Sequence, residues 1–332
     1  MKRVLITGMS GLMGSNVMSH ILENTDWDII GIASWKYKGL PERITDMPAY
    51  QANRARVSLI THDLKAPLTR ITKARLGHID CIINCAADSH VDRSIADPVP
   101  FVDNNVHVAL NMLELAREIK PRVFIQISTD EVYGPMHGDV PHAEWSAILP
   151  SNPYSASKAC QEAIAYAYWR TYGVPVIITN TMNLFAERQD PEKYIPMTIR
   201  RVLHGETVTV HGAPGNIGSR YYLHARNNAD ALLFIINNLP PHRFPEVECL
   251  DRFNVVGEKR LNNLEVAQMI ADFVGKPLKY ELVDFHTTRP GHDPHYGLDG
   301  TKLASAGWVP PIPLKESLKR MVEWTLKNQE WL

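Results

Sequence analysis

An alternation in the first 180 residues constrains this chain more than any other feature. Short β-branched runs stand at "RVLI" (3–6), "DIIGIA" (28–33), "VSLI" (57–60), "DCIINCAA" (80–87), "RVFIQIS" (122–128) and "VPVIIT" (174–179), with helical patterns between them. Runs that are apolar on both faces are strands covered on both sides, and strands separated by helices pair in parallel. "VALNMLELAREI" (108–119) has helical spacing and stops before Pro121; "SASKACQEAIAYAYWRTYG" (155–173) is a second long helix closed by Gly173. The expected fold class is therefore α/β, a doubly wound parallel sheet. After about residue 180 proline and glycine gather at 212–218, 239–245 and 289–291, while "LEVAQMIADFVG" and "LKESLKRMVEWTLKN" remain helical. The 332 residues exceed what one core usually fills, so a second, smaller α/β lobe is expected.

The first run leads into "TGMSGLMGSNVMSHIL", with Gly8, Gly11 and Gly14 spaced GxxGxxG. Glycines let a backbone turn tightly and approach a pyrophosphate, and the helix that follows presents its N–H groups. The motif follows a first strand and opens a helix, the context dinucleotide binding requires. At the end of the second strand, where NAD-binding folds place an acid for the ribose 2′-hydroxyl, the chain reads Ala33, Ser34, Trp35, Lys36. With Lys36 and Lys38 near, a 2′-phosphate is tolerable, and NAD and NADP both stay open. Asp63, in "THDL", is either an adenine contact or a turn acid.

"YSASK" sets Tyr154 and Lys158 four residues apart on one helical face. A free tyrosine has a pKa near 10, and a neighbouring ammonium favours its phenolate. "ISTDEVYG" (127–134) ends an apolar strand with adjacent acids, Asp130 and Glu131.

Together "TGMSGLMG", "NCAADSHVDRS", "STDEVYG" and "YSASK" resemble the extended short-chain dehydrogenase/reductase family, and within it the nucleotide-sugar 4,6-dehydratases. The likeness continues through "DPEKYIP", Arg220 and "RPGHD", so it covers nearly the whole chain. It implies a Rossmann-type cofactor domain over 1–180 and about 220–255, and an interleaved nucleotide-sugar lobe over 181–219 and 256–332. It implies Tyr154 as the base for the sugar 4-hydroxyl, Lys158 on the nicotinamide ribose, and Thr129 on the 4-oxygen. Asp130 is then the acid for the departing 6-hydroxyl and Glu131 the base at C5. Close like charges keep one acid protonated to higher pH. The implied cofactor set is Gly8, Gly11, Leu12, Met13, Gly14, Ser34, Lys36, Asp63, Leu64, Ala86, Ala87, Ser89, Asn104, Tyr154 and Lys158. The implied substrate set is Ser89, Thr129, Asn183, Lys193, Arg220, Asn254, Arg289 and His292, with the two arginines gripping the diphosphate.

The chain departs from the family pattern at Asp88, Leu184 and Ala186, where glutamate, asparagine and glycine are usual; this bears on the identity of base and sugar. The nearest rival is a nucleotide-sugar 4-epimerase or decarboxylase, which needs no Asp130–Glu131 pair. A non-catalytic NAD(P) sensor needs the glycine loop but not Tyr154, Lys158 or Thr129. A formal net charge of -1 excludes a global pull toward nucleic acid or membrane. No apolar run approaches a membrane span, and the start shows no signal peptide. The four cysteines, Cys81, Cys85, Cys160 and Cys249, read as reduced thiols rather than a metal site, so the expectation is a metal-free cytoplasmic protein. Small and apolar residues around the 108–119 and 155–172 helices, with the family likeness, point to a homodimer.

Overall fold

A computed structural model of the chain describes residues 2–36, 38–136, 138–284 and 293–332. Its centre is a seven-stranded, wholly parallel sheet. The strands β1 (Arg3–Thr7), β2 (Asp28–Ala33), β3 (Val57–Thr61), β4 (Cys81–Asn84), β5 (Val123–Thr129) and β6 (Val176–Thr181) are the six expected runs. The spatial order is Asp251–Val255, β6, β5, β4, β1, β2, β3. The order reverses at β1 and β4, and parallel sheets open a crevice for ligands at such a switch point.

Alternation along the strands divides the core. Val4, Ile6, Ile29, Ile83, Ile125 and Ile177 face the Leu12–Asn24 and Ala225–Asn238 helices. Leu5, Ile30, Ile82, Phe124, Val176 and Ile178 face the Pro98–Ile119 and Pro153–Tyr172 helices. β3 differs from the inner strands: it is the sheet edge, and Ser58 and Leu59 are exposed. The Pro98–Ile119 helix starts ten residues before its clear periodicity. Pro98 stands in its first turn, where a missing N–H costs nothing, so the prolines of "PVPFV" do not break it.

Two three-stranded sheets carry the rest. One joins Arg260–Asn262, Ser219–His224 and Asn183–Phe185; the other joins Tyr280–Val283, Val208–Ala213 and Asn216–Ile217. The Tyr194–His204, Asn263–Val274 and Leu314–Lys327 helices pack on them around Phe185, Ile199, Ile270, Leu318 and Met321.

Candidate active site

The loops that leave β1 to β6 all open on the carboxyl edge of the large sheet. Gly8 takes φ +61°, and a Cβ on it would lie 2.9 Å from the Ala86 Cα. A Cβ on Gly14 would meet the Gly8 oxygen at 2.5 Å and the Met9 Cα at 2.7 Å. Gly11 caps the Leu12–Asn24 helix without a side-chain hydrogen bond, and no acid stands in the first turn. The helix end therefore offers bare N–H groups, with Leu12 and Met13 half-exposed beside them. This cradle fits a pyrophosphate, and the residues present fit a dinucleotide.

Ser34 and Lys36 are exposed past β2, and the Lys36 ammonium pairs with Asp63 past β3. Asp63 thus has an ion-pair partner and also accepts from the Lys65 N–H at 3.1 Å. Leu64 is buried, its carbonyl taken by Asn111 at 2.9 Å. Ala86, Ala87 and exposed Ser89 follow β4, and the Ala86 N–H donates to Thr7 Oγ1 at 3.0 Å. Asn104, half-buried on the Pro98–Ile119 helix, donates to Asn105 at 3.1 Å.

β5 ends on Thr129 and turns into a short 3-10 segment, Asp130–Tyr133. Thr129 Oγ1 donates to Asp130 Oδ1 at 2.9 Å and accepts from the Glu131 N–H at 3.3 Å. Asp130 is 4% exposed, and its Oδ2 is buried with no hydrogen-bond partner among the described residues. Burial first, and the Glu131 charge second, push its carboxyl up to about 7, against the pull of Arg220. Glu131 Oε2 accepts from Asn152 Nδ2 at 3.2 Å.

Asn152 also caps the Pro153–Tyr172 helix in a reciprocal box with Ser155, which fixes where Tyr154 points. The Tyr154 phenol lies near Thr129, and burial followed by the Glu131 charge raises it well above its ordinary value. The expected phenolate-favouring ammonium is not what Tyr154 meets. Lys158 Nζ instead donates to the Ile127 carbonyl at 2.7 Å and to Gln161 Oε1. Burial brings Lys158 down to about 8. Behind it, Gln161 Oε1 also accepts from Gln126 Nε2 at 3.1 Å, Gln126 Oε1 from Asn84 Nδ2 at 2.9 Å, and Asn84 Oδ1 from Thr7 at 2.7 Å.

The smaller sheets bring two cations to the same place. Lys193 caps the Tyr194–His204 helix, lowered by burial and countered by Glu131 and Asp190. Arg220 reaches toward Asp130 while its guanidinium donates to the carbonyls of Ser219 (2.8 Å), Pro294 (2.6 Å) and Asp293 (2.7 Å) and stacks on Tyr296. Asn183 is exposed on the strand beside Arg220's. Asn254 departs from expectation. It is fully buried, its amide donating to the His142 and Asp299 carbonyls at 3.0 Å each, so it braces two loops rather than opening on the site. Arg289 and His292 lie outside the described residues.

Three residues near this cluster were not anticipated. Asn152 had a signal, an amide before proline at a helix start. Gln161 follows Lys158 by one turn. Tyr296, whose phenol is raised by burial and then by Glu131, has no local signal.

The Epimerase model for the NAD dependent epimerase/dehydratase family matches residues 4–245. The chain belongs to that family. It is 33% identical to the dTDP-glucose 4,6-dehydratase of Salmonella typhimurium, covering 99% of this chain and 94% of that one. It is 33% identical to the low-salt glycan biosynthesis protein Agl12 of Haloferax volcanii, covering 98% and 99%. The dTDP-glucose 4,6-dehydratase of Bacillus anthracis, solved in complex with NAD, superposes with a TM-score of 0.86 at 26% identity, over 100% of this chain and 98% of that one. As an epimerase/dehydratase relative the chain is a nucleotide-sugar enzyme with a Rossmann-type cofactor fold. Among the described residues no His, Cys, Asp and Glu cluster could hold a metal ion, and no helix is long and apolar enough to cross a membrane. Cys81 and Cys85 are pushed up to about 12 by burial; Cys160 and Cys249 are free and exposed.

Proposed function

We propose that the protein is an NAD-dependent nucleotide-sugar 4,6-dehydratase, converting a nucleotide-activated hexose to its 4-keto-6-deoxy form. The observation that carries this reading is the Asp130–Glu131 pair beside Tyr154. One carboxyl is held toward its protonated form in a dry pocket, and the other is hydrogen-bonded to an amide donor. Dehydration needs an acid and a base on one small substrate; epimerisation does not.

Held against the glycine loop, NAD would supply a reversible hydride acceptor, so that the hydride lost from the sugar C4 could be restored at C6 with no net redox. Tyr154 takes the 4-hydroxyl proton as its phenolate, a form that the positive charge of the bound cofactor would favour against the burial that raises it, while Thr129 hydrogen-bonds the 4-oxygen. The 4-ketone acidifies C5, and Glu131 removes that proton. Asp130 protonates the departing 6-hydroxyl, which leaves as water. Glu131 then returns its proton to C5. Lys158, with two of its three N–H groups committed, would have the third to hold the nicotinamide ribose. Lys193 and Arg220 take the anionic diphosphate side, with Asn183 and Ser89 on the sugar. The family's dTDP-glucose enzymes support a dTDP-hexose as the first donor to try.

We infer that the two lobes divide as cofactor domain and nucleotide-sugar domain, and that two copies associate through the Pro98–Ile119 and Pro153–Tyr172 helices; light scattering tests the association. The free exposed thiols support a reducing, cytoplasmic setting.

The test is mass spectrometry after incubation with dTDP-, UDP-, GDP- and CDP-hexoses. Loss of one water without net reduced cofactor is expected. An isomer of unchanged mass favours epimerisation. Glu131→Gln should stop water loss and leave substrate oxidation; undiminished dehydration removes Glu131 as the base.

A further inference from the structure

We propose that the adenosine end of the cofactor crevice admits a 2′-phosphate, held by Lys36 and Ser34, so that the chain takes NADP as well as NAD. The inference rests on the fit of a dinucleotide to the glycine loop and not on the dehydratase reading. A dinucleotide fold that selects NAD does so with a carboxylate at the end of its second strand, which accepts from the ribose 2′-hydroxyl and repels a phosphate there. In this chain that end is Ala33, 2% exposed, whose register partner on β3 is Thr61. Neither residue carries a charge.

The backbone beyond Ala33 turns so as to present donors instead. Trp35 takes φ +55°, rare for a bulky residue, and its indole Nε1 donates to Thr61 Oγ1 at 2.8 Å. That bond ties the turn to the end of β3 and leaves Ser34 and Lys36, on either side of the tryptophan, exposed. The Gly39 N–H donates to the Lys36 carbonyl at 3.0 Å, and a Cβ on Gly39 would lie 2.7 Å from Ser10 Oγ in the glycine loop. The segment that carries Lys36 therefore lies against the cradle that fits the pyrophosphate.

Asp63 is the carboxylate that could restore NAD selection from the next strand, but both its oxygens are engaged. Oδ2 takes Lys36 Nζ, and Oδ1 takes the Lys65 N–H at 3.1 Å. The Lys36–Asp63 pair is open to water, with side chains 68% and 38% exposed, and exposed pairs hold weakly. An ammonium has three donors, and Asp63 uses one of them. Lys36 can thus keep Asp63 and still donate to a phosphate, whose charge near neutral pH is about −2. The Ser34 hydroxyl supplies a second donor beside it. NAD forgoes this grip but meets no obstacle in it, so both dinucleotides bind.

The experiment is titration calorimetry of the cofactor-free protein with NAD and with NADP, read as the ratio of the two dissociation constants. Wild type should bind the two within about 10-fold of each other. Lys36→Met should raise the constant for NADP relative to that for NAD by about 10-fold, and Lys36→Arg should restore the ratio. Ala33→Asp should shift the ratio toward NAD by about 10²-fold, whereas Ala33→Asn, equal in shape and uncharged, should not. Ala33 is buried, so if its variants fail to fold, the Lys36 pair decides alone. Wild type that binds NADP more than about 10-fold more weakly than NAD overturns the phosphate subsite. So does a Lys36→Met that leaves the ratio unmoved. Wild type that binds neither dinucleotide overturns the cofactor reading of the glycine loop, and this proposal with it. The readout is binding, so each outcome stands whether or not any hexose is dehydrated.

Discussion

Asp130 is a stability liability with a defined pH window, and Asp130→Asn exposes it. Its carboxyl is raised from 3.8 to about 7 in the folded chain, by burial first and by Glu131 second. A raised acid destabilises the fold wherever the unfolded chain ionises and the folded chain resists. The penalty is absent below about pH 3.8, grows between there and 7, and is constant above. Integrated from pH 5.5 to 8.5 with these two values, it deepens by about 2 kcal/mol. Lys158, brought down to about 8 by burial, acts in the opposite sense over part of this range. Both proteins contain it, so it cancels in their difference. The assay is urea unfolding of the cofactor-free protein at the two pH values. Wild type should lose about 2 kcal/mol relative to Asp130→Asn on going to pH 8.5. Parallel stabilities at both pH values refute the claim that the Asp130 site is dry enough to hold a proton near neutrality.

Three further outcomes are expected. Gly14→Ala places a Cβ against the Gly8 and Met9 backbone, so the loop must shift; titration calorimetry should find weaker NAD binding, and stability should fall by about 1–3 kcal/mol. Arg252→Met leaves the Glu162 carboxylate, 2.8 Å from the arginine and 1% exposed, without its cation; unfolding should become easier by about 3–5 kcal/mol, largely recovered by adding Glu162→Gln. Gln161→Leu removes an acceptor from the Lys158 ammonium, which lowers the lysine further, so the alkaline limb of the rate profile, expected near pH 8, should move acidward.

The large sheet was legible because its strands obey local rules. β1, β4 and β5 are buried on both faces, and that is what an unbroken apolar run encodes. β3 read as one of them, although "VSLI" lies at the edge, because edge position is a property of the assembled sheet. The Ala225–Asn238 helix went unnoticed: its first turn reads "ARNNAD", and only tertiary burial of Asn227 and Asn228 explains those amides. In the site, spacing revealed Tyr154 with Lys158, and adjacency revealed Asp130 with Glu131. Each group lies within five residues of its partner in sequence. Spacing did not reveal Asn254's burial, since an asparagine near a strand end reads as a ligand contact whether it opens on a crevice or braces a loop. Tyr296 and Arg252 were invisible for the same physical reason, because their partners lie many residues away and no local period links them.

The Arg252–Glu162 pair clarifies how β5 can end on two acids at all. A buried Asp130 that ionises would push the turn outward toward water, and the turn is only four residues long. Against that, Asn180 Nδ2 holds the Thr129 carbonyl at 3.1 Å and is itself shared with Glu162 Oε1 at 2.8 Å. Glu162 is fixed by Arg252, and Arg252 Nη1 donates at 3.0 Å to the hydroxyl of Tyr133, the last residue of that same turn. The turn is thus held at both ends by one buried polar circuit drawn from β6, the Asp251–Val255 strand and the Pro153–Tyr172 helix. Buried ion pairs are poor sources of net stability, and replacing this one with apolar residues would cost the fold little. What it does supply is position, fixing Thr129 and Tyr133 so that Asp130 stays in its dry pocket. Arg252→Met with Glu162→Gln should therefore recover stability but not turnover. If turnover returned with stability, the circuit would be scaffold alone, and the turn would hold its acids without help.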